Sequence, residues 1–185
     1  EESSIERKDG VVYVRVENSA AAAGLIAHNF FGQPSESMKL VGVTGTNGKT
    51  TTTRLIAHIM KNIGKNVGFT TTEGVYIGNR LIQPGDNTGP ISAQMVLRDP
   101  TVEIAVLEVA RGGLLRAGLG FDGCDIGIVM NVTADHLGLK DINSLEEMAR
   151  VKAIVAENVF KRGYAVLNAD DKLVLKMRER LDCQI

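Results

Sequence analysis

Val41-Gly42-Val43-Thr44-Gly45-Thr46-Asn47-Gly48-Lys49-Thr50-Thr51 is the stretch on which the reading of the whole chain turns. The apolar run 40–43 predicts a short buried strand. Gly45 and Gly48 then permit a tight turn. From Thr50 onward Leu55, Ile56, Ile59, Met60 and Ile63 recur at helical spacing and predict an amphipathic helix with those residues on its apolar face. Strand, glycine turn, Lys-Thr and helix together make a phosphate cradle. Glycines let backbone N–H groups approach oxyanions, the helix N-terminus adds positive potential, and Lys49 adds a point charge. The Thr50 hydroxyl is then placed to touch Mg²⁺. The spacing departs from the common phosphate-loop pattern, because Val43 stands five residues before Gly48. A glycine turn with an exposed lysine is the competing reading, and the strand–turn–helix context of Gly-Lys-Thr weighs against it.

Outward from this loop the pattern continues. Gly64 ends the helix, and residues 67–72 predict a second strand. The Gly78-Asn79 dipeptide between 75–77 and 80–82 predicts a hairpin. A polar loop, 84–90, leads into a helix reaching about Leu97. Residues 102–109 and 125–132 are nearly continuous apolar runs, as in strands covered on both faces. Ser144-Leu145-Glu146-Glu147 is a capping box opening a long helix, with Lys161, Arg162 and Gly163 closing it. A strand at 164–167, a helix at 170–181 and the start of a further strand at 183–185 follow. On the other side, residues 11–16 are strand-like, and Asn18 or Ser19 can cap an Ala-rich helix to about Phe31 before the break at Gly32-Gln33-Pro34-Ser35. Strands alternating with helices predict an α/β fold, a mainly parallel, doubly wound sheet. Residues 1–38 read as the tail of a preceding domain with its linker, and 39–185 as the nucleotide-binding domain.

Composition narrows the class. The 185 residues can bury a sizeable core, and 44% hydrophobic with 23% charged residues is ordinary for a globular protein. A net charge of −1 gives no global field that would recommend nucleic acid or an anionic membrane. Cys124 and Cys183 fit no metal spacing and point to a reducing, cytoplasmic setting. The apolar-rich stretch 20–31 is too short to span a bilayer, and the charged N-terminus has no signal-peptide core.

In doubly wound sheets, ligands lie beyond the carboxyl ends of the strands. Three apolar strands here end in chemically capable residues: one in the phosphate loop, one at Glu108, one in Asn131-Val132-Thr133-Ala134-Asp135-His136. Parallel strands would bring Lys49, Thr50, Glu108, Asp135 and His136 to one edge. A carboxylate there suits Mg²⁺, a hard cation that prefers oxygen. Glu108 could otherwise be a strand-end ion pair, and His136 a ligand, an orienting donor or an ordinary loop histidine. Lys152 falls on the apolar stripe of its helix with Leu145, Met148, Val155 and Val159. It either snorkels to the stripe's edge or is buried, and burial would depress its pKa and leave a nucleophilic amine. Asp86-Asn87-Thr88-Gly89-Pro90 is a turn before a helix or a substrate contact; Arg111 and Arg116 are surface arginines or partners for an anion.

These residues together resemble the Mur ligase family. The resemblance covers residues 39–185 through Thr44-Gly45-Thr46-Asn47-Gly48-Lys49-Thr50-Thr51, Asn87-Thr88, Glu108, Asp135-His136, Lys152 and Asn168-Ala169-Asp170-Asp171. Gly85-Asp86-Asn87-Thr88-Gly89-Pro90, Asp99-Pro100-Thr101-Val102-Glu103, Ala110-Arg111-Gly112-Gly113-Leu114-Leu115-Arg116-Ala117-Gly118-Leu119-Gly120-Phe121-Asp122 and Ala134-Asp135-His136-Leu137-Gly138 are similar to the cyanophycin-synthesising branch. The flank before Leu40 looks more like the cell-wall ligases that act on UDP-linked muramoyl peptides. The resemblance implies ATP-dependent amide bond formation through an acyl phosphate that an amine attacks. It implies ATP on Gly45, Thr46, Asn47, Gly48, Lys49, Thr50 and Thr51, and catalytic roles for Lys49, His136 and Lys152. Magnesium would be held by Thr50 or Thr51, Glu108 and His136, with a second ion through a carbamylated Lys152. Asn87, Thr88 and Arg111 would meet the substrate, a carboxylate-bearing peptide, with an amino acid as the amine. No nucleic-acid or membrane partner is implied, and a homo-oligomer of the full-length protein is compatible. The adenine-binding segment and the amine-binding domain of the family would lie beyond Ile185, so the domain reads as truncated at that end. A phosphate-loop NTPase without ligase activity, as a switch or as an inert module, is the alternative from another class.

Overall fold

The computed structural model describes residues 9–16, 38–134 and 144–185, with the backbone alone at Arg116 and Ala117. Two compact units divide the chain, Glu1–Pro34 and Ser35–Ile185. In the first, residues 11–16 have no regular structure, contrary to the strand their pattern predicts. An apolar run becomes a strand only where a neighbour completes its hydrogen bonds, and none pairs with it among the described residues. The Ala-rich helix predicted before Phe31 and the break after it lie outside the described residues.

The second unit is a seven-stranded sheet. Its elements in chain order are β1 (Lys39–Thr44), α1 (Lys49–Asn62), β2 (Val67–Thr71), β3 (Gly74–Ile77), β4 (Arg80–Pro84), α2 (Pro90–Leu97), β5 (Ile104–Glu108) and α3 (Arg111–Ala117). Then come β6 (Cys124–Val129), α4 (Leu145–Glu157), β7 (Val159–Leu167), α5 (Lys172–Lys176) and a 3-10 turn at Met177–Arg180. The strands lie in the order β4-β3-β2-β5-β1-β6-β7. Pairing is parallel from β2 through β7, and antiparallel in the β2-β3-β4 meander, whose β3-β4 turn is the predicted Gly78-Asn79. The bridge from Gln184 to Tyr164, parallel to β7, starts the further strand predicted at the chain's end.

Alternation along the central strands sorts the core into two faces. Val41, Val43, Val67, Phe69 and Val106 pack with Ala57 of α1. Leu40, Ala105 and Leu107 face the other way, with Ala93 and Val96 of α2. On that second face, α4 lies against β6, β1 and β7. Gly42 and Gly127 make its close approach possible. A Cβ at Gly127 would stand 2.9 Å from the Val155 oxygen, and one at Gly42 would stand 3.0 Å from Val155 Cγ1.

Helix α1 differs from the expectation. Thr53 and Ala57 are its buried residues, Ile56 and Met60 pack partly, and Leu55, Ile59 and Ile63 are 56%, 47% and 66% exposed. The rotation follows from the loop that feeds it. Thr50 faces Glu108, and Thr53 and Ala57 follow at helical spacing on the same side, so the larger aliphatic row is turned outward. Helix α4 ends earlier than predicted, at Glu157, where Asn158 caps it by donating from Nδ2 to the Ile154 carbonyl at 2.8 Å. Its capping box at Ser144 and Glu147 is present as predicted. The predicted helix 170–181 is shorter, five residues of α5 relaxing into the 3-10 turn, with Asp171 accepting from the amides of Leu173 and Val174.

Gly127→Ala should push α4 off the sheet and cost about 1–3 kcal/mol. Urea unfolding would show it as a lower midpoint at unchanged slope. A midpoint equal to that of the original protein would mean that the close helix–strand contact carries no constraint.

Candidate functional site

Parallel register aligns three strand ends. Val43 pairs with Glu108 on one side and with Ile128 on the other. The turn after β1, the carboxylate closing β5 and the segment after β6 are therefore neighbours on the carboxyl edge. In the turn, Gly48 adopts a φ of 85°, which a side chain would strain, and Met130 Cε would lie 2.7 Å from a Cβ placed there. Helix α1 starts at this glycine with no side-chain cap, whereas Ser144 caps α4 and Asp171 caps α5. Its uncapped N-terminus is thus directed at the same edge as the lysine that follows. Lys49 Nζ donates to the Thr46 carbonyl at 2.8 Å and closes the loop on itself.

Glu108 is the buried charge of the edge, 2% exposed. Its Oε2 accepts from the Thr50 hydroxyl at 2.8 Å, and Thr50 Oγ1 also lies 3.2 Å from the Thr72 hydroxyl. Its Oε1 is buried without a hydrogen-bond partner among the described residues. Burial pushes the Glu108 carboxyl above its ordinary range, opposed by the Thr50 hydroxyl, the Lys49 charge and the Thr72 amide. An orphaned carboxylate oxygen beside a hydroxyl is an incomplete oxygen shell, and Mg²⁺ fits that donor set. Thr51, the next residue, is exposed, so the helix brings Thr50 and not Thr51 to the carboxylate. Asp135 and His136 lie outside the described residues.

Lys152 resolves as the buried alternative, at 3% exposed. Burial, and then repulsion from Lys49 and Arg111, pull its ammonium from an ordinary 10.5 down to about 8. Those same interactions place three cationic side chains in one field around the edge. Arg111, half-buried, is the first residue of α3. The side chain of Arg116 lies outside the described residues.

The loop 85–89 is pinned rather than open. Asn87, 3% exposed, accepts from Ser92 Oγ at 2.9 Å and donates to the Gly85 carbonyl at 2.6 Å; its own amide donates to the Thr71 carbonyl at 3.1 Å. The Thr88 hydroxyl donates to Asp86 Oδ1 at 2.8 Å. Gly113 lets α3 close on this loop, since a Cβ there would be 2.9 Å from the Thr88 oxygen. In this arrangement the side chain of Asn87 is engaged in holding the loop's shape.

Sequence reasoning passed over Asn131 as an individual residue. Its Oδ1 accepts from the amides of Thr46 and Asn47, both at 2.9 Å. It also passed over Asp171, whose Oδ2 accepts from the Val132 amide at 2.7 Å. Both could have been flagged by the strand-end rule that singled out Glu108, because Asn131 follows β6 closely and Asp171 follows β7.

A mainly parallel α/β sheet of this kind is shared with a known class. Residues 43–185 match the Mur ligase middle domain, and the chain belongs to that family. Its relatives include the cyanophycin synthetase of Crocosphaera subtropica, 66% identical over 151 residues, covering 80% of this chain and 17% of that protein. The UDP-N-acetylmuramoyl-L-alanyl-D-glutamate--2,6-diaminopimelate ligase of Listeria innocua is 34% identical, covering 91% of this chain and 35% of that protein. A solved diaminopimelate ligase of the same description superposes with a TM-score of 0.66 at 29% identity, over 80% of this chain and 31% of that one. The chain thus spans less than a fifth of the cyanophycin synthetase it matches.

For the unmodified amine, the buried Lys152 penalises folding. Its folded pKa lies below its unfolded value, so the unfolded state binds more protons between about 8 and 10.5, and stability rises with pH across that window. Lys152→Met should therefore stabilise the fold at pH 7 by up to about 3 kcal/mol. The gain should shrink toward pH 10.5. Denaturant titrations of both variants at three pH values would read it, and a pH-independent difference would contradict the burial of a titrating amine.

Proposed function

We propose that residues 39–185 form the ATP-binding domain of an ATP-dependent amide ligase. The observation that carries this reading is the buried Glu108. One oxygen is held by Thr50 and the other has no partner among the described residues, with the Lys49 charge acting both on this carboxylate and on the buried Lys152, in a Mur-ligase-family sheet. A simple nucleotide switch has no need of the buried lysine. Magnesium would be held by Thr50 and Glu108, with His136 completing the set and Lys152, as a carbamate, serving a second ion. The ions would supply charge neutralisation on the phosphates.

The chain's own groups do the rest. The amides of residues 48–51 at the uncapped N-terminus of α1 would grip the phosphates, while Asn131 holds the Thr46 and Asn47 amides. Lys49 would leave the Thr46 carbonyl for the β- and γ-phosphates. A carboxylate oxygen of the acceptor, positioned by the loop of Asn87 and Thr88 and by Arg111, attacks the γ-phosphorus, and ADP departs. The amine then attacks the acyl carbon, phosphate leaves, and the amine gives up a proton. Positioning and electrostatic stabilisation supply the acceleration. With a lysine pKa near 8, much of Lys152 is a free amine under mildly basic conditions, the form that combines with carbon dioxide.

For the acceptor, the high identity to cyanophycin synthetase favours an aspartate-rich polypeptide with arginine as the amine. A UDP-linked muramoyl peptide is the second reading, favoured by the lower-identity cell-wall relatives. The use of ATP as co-substrate supports a cytoplasmic setting for the reaction. Among the described residues, no helix is long and apolar enough to cross a membrane.

The full-length protein should turn over ATP with an aspartate polymer and arginine. Turnover with the muramoyl dipeptide alone would reassign the acceptor and leave the ligase reading standing. Lys152→Ala should abolish ligation, with partial recovery on adding short carboxylates; full activity without rescue would remove the carbamate from the scheme. Lys49→Ala should weaken Mg-nucleotide binding while the fold persists, and equal affinity by calorimetry would sink the phosphate-loop assignment.

A further inference from the structure

The loop between β1 and α1 has a glycine at each end and, among the described residues, only its own Lys49 side chain to close it from within. Such a loop has many conformations to lose when it orders around a ligand. Most of its hydrogen bonds come instead from outside, from the three residues after Met130. The Thr46 amide donates to both the carbonyl and the side-chain oxygen of Asn131, at 3.0 and 2.9 Å. The Asn47 amide donates to Asn131 Oδ1 at 2.9 Å, and Asn131 Nδ2 donates back to the Asn47 carbonyl at 3.2 Å. Thr133 completes the set, its amide donating to Thr46 Oγ1 at 3.0 Å.

The strand-end side of this arrangement is itself anchored. The Met130 amide donates to the Thr44 carbonyl at 3.0 Å, extending the β1–β6 ladder, and the Val132 amide is held by Asp171 at 2.7 Å. Met130 also packs under Gly48, with its sulfur 3.2 Å from the Thr52 hydroxyl. A fixed strand end therefore grips a pliant loop through one carboxamide, which presents an acceptor and a donor in the plane that two successive peptide groups require.

We propose that Asn131 is a positioning residue that holds the glycine loop in its phosphate-ready shape before nucleotide arrives. This rests on the phosphate-loop reading above and adds to it a residue that touches the loop's backbone. A loop already ordered binds without the ordering cost, so the clamp acts on affinity.

The test is made on the full-length protein with Mg-ADP as the probe. Asn131→Ala should weaken the dissociation constant on the order of ten-fold, the effect of losing one or two net hydrogen bonds. In the nucleotide-free protein, hydrogen exchange at the Thr46 and Asn47 amides should quicken while the β1 and β5 amides keep their protection. A merely structural role would move the strand amides as well. Asn131→Asp retains an oxygen for both amides and should restore their protection. Affinity within two-fold of the original, or tighter, in the alanine variant overturns the proposal. If the alanine variant does not fold, the aspartate variant decides alone, and Thr46 and Asn47 amides exchanging as fast as open loop amides overturn it. Absence of Mg-ADP binding by the unmutated protein would instead remove the phosphate-loop reading, and the clamp with it.

Discussion

The hydrogen bond from Thr50 to Glu108 orders much of what surrounds it. A carboxylate at 2% exposure is costly to bury, and it stays tolerable only through the partners gathered on it. Those partners come from three places: the hydroxyl of Thr50 at the start of α1, the amide of Thr72 after β2, and the charge of Lys49. Meeting this demand fixes the rotation of α1 about its own axis. The helix consequently presents Thr53 and Ala57 to the sheet and leaves Leu55, Ile59 and Ile63 in solvent. An electrostatic requirement at one end has overridden the hydrophobic preference along the rest.

A second constraint works from the opposite face. Small residues at the centre of β1 and β6 let α4 lie against the sheet, so a lysine on its buried stripe ends up inside the protein rather than at its rim. The consequence is a group of positive side chains in which Lys49 and Arg111 repel the buried Lys152, while Lys49 also acts on the buried Glu108. A site with that balance attracts anions and penalises the ammonium form of its most buried member. The packing of two glycines and the protonation of one lysine are thus connected through the position of a helix.

The family relationship gives this edge a comparison. Similarity to cyanophycin synthetase is high and to the diaminopimelate ligases lower, while each covers only part of those longer proteins. The solved ligase superposes over 80% of this chain. Buried polar residues include Thr44 and Glu108 at the carboxyl ends of β1 and β5, Thr71 at the end of β2, and Asn87 and Thr88 in the loop after β4. Polar groups are expensive in a core, and Thr44 and Glu108, at the ends of β1 and β5, are held there by hydrogen bonds with Val109 and Thr50.

The order of strands and helices, the hairpin at Gly78-Asn79, the capping box at Ser144 and the convergence of Lys49, Thr50 and Glu108 were legible in the linear sequence. Each rests on local periodicity, turn chemistry or the rule that parallel strands align their carboxyl ends. Other features needed the fold. The sequence left Lys152 divided between a snorkelling and a buried lysine, because the choice depends on how closely α4 approaches Gly42 and Gly127. The loop pattern pointed to Thr50 while the family resemblance left Thr50 or Thr51 open, and the hydrogen bond to Glu108 falls to Thr50. The residues 11–16 had strand composition without a described pairing partner, and the outward row of α1 had apolar composition without a buried face. Asn131 lies 84 residues from Asn47 in sequence, and hydrogen bonds across that distance carry no periodicity that a single sequence displays. Local propensity determined the elements; contact between distant segments decided which side chains the site holds and in what protonation state.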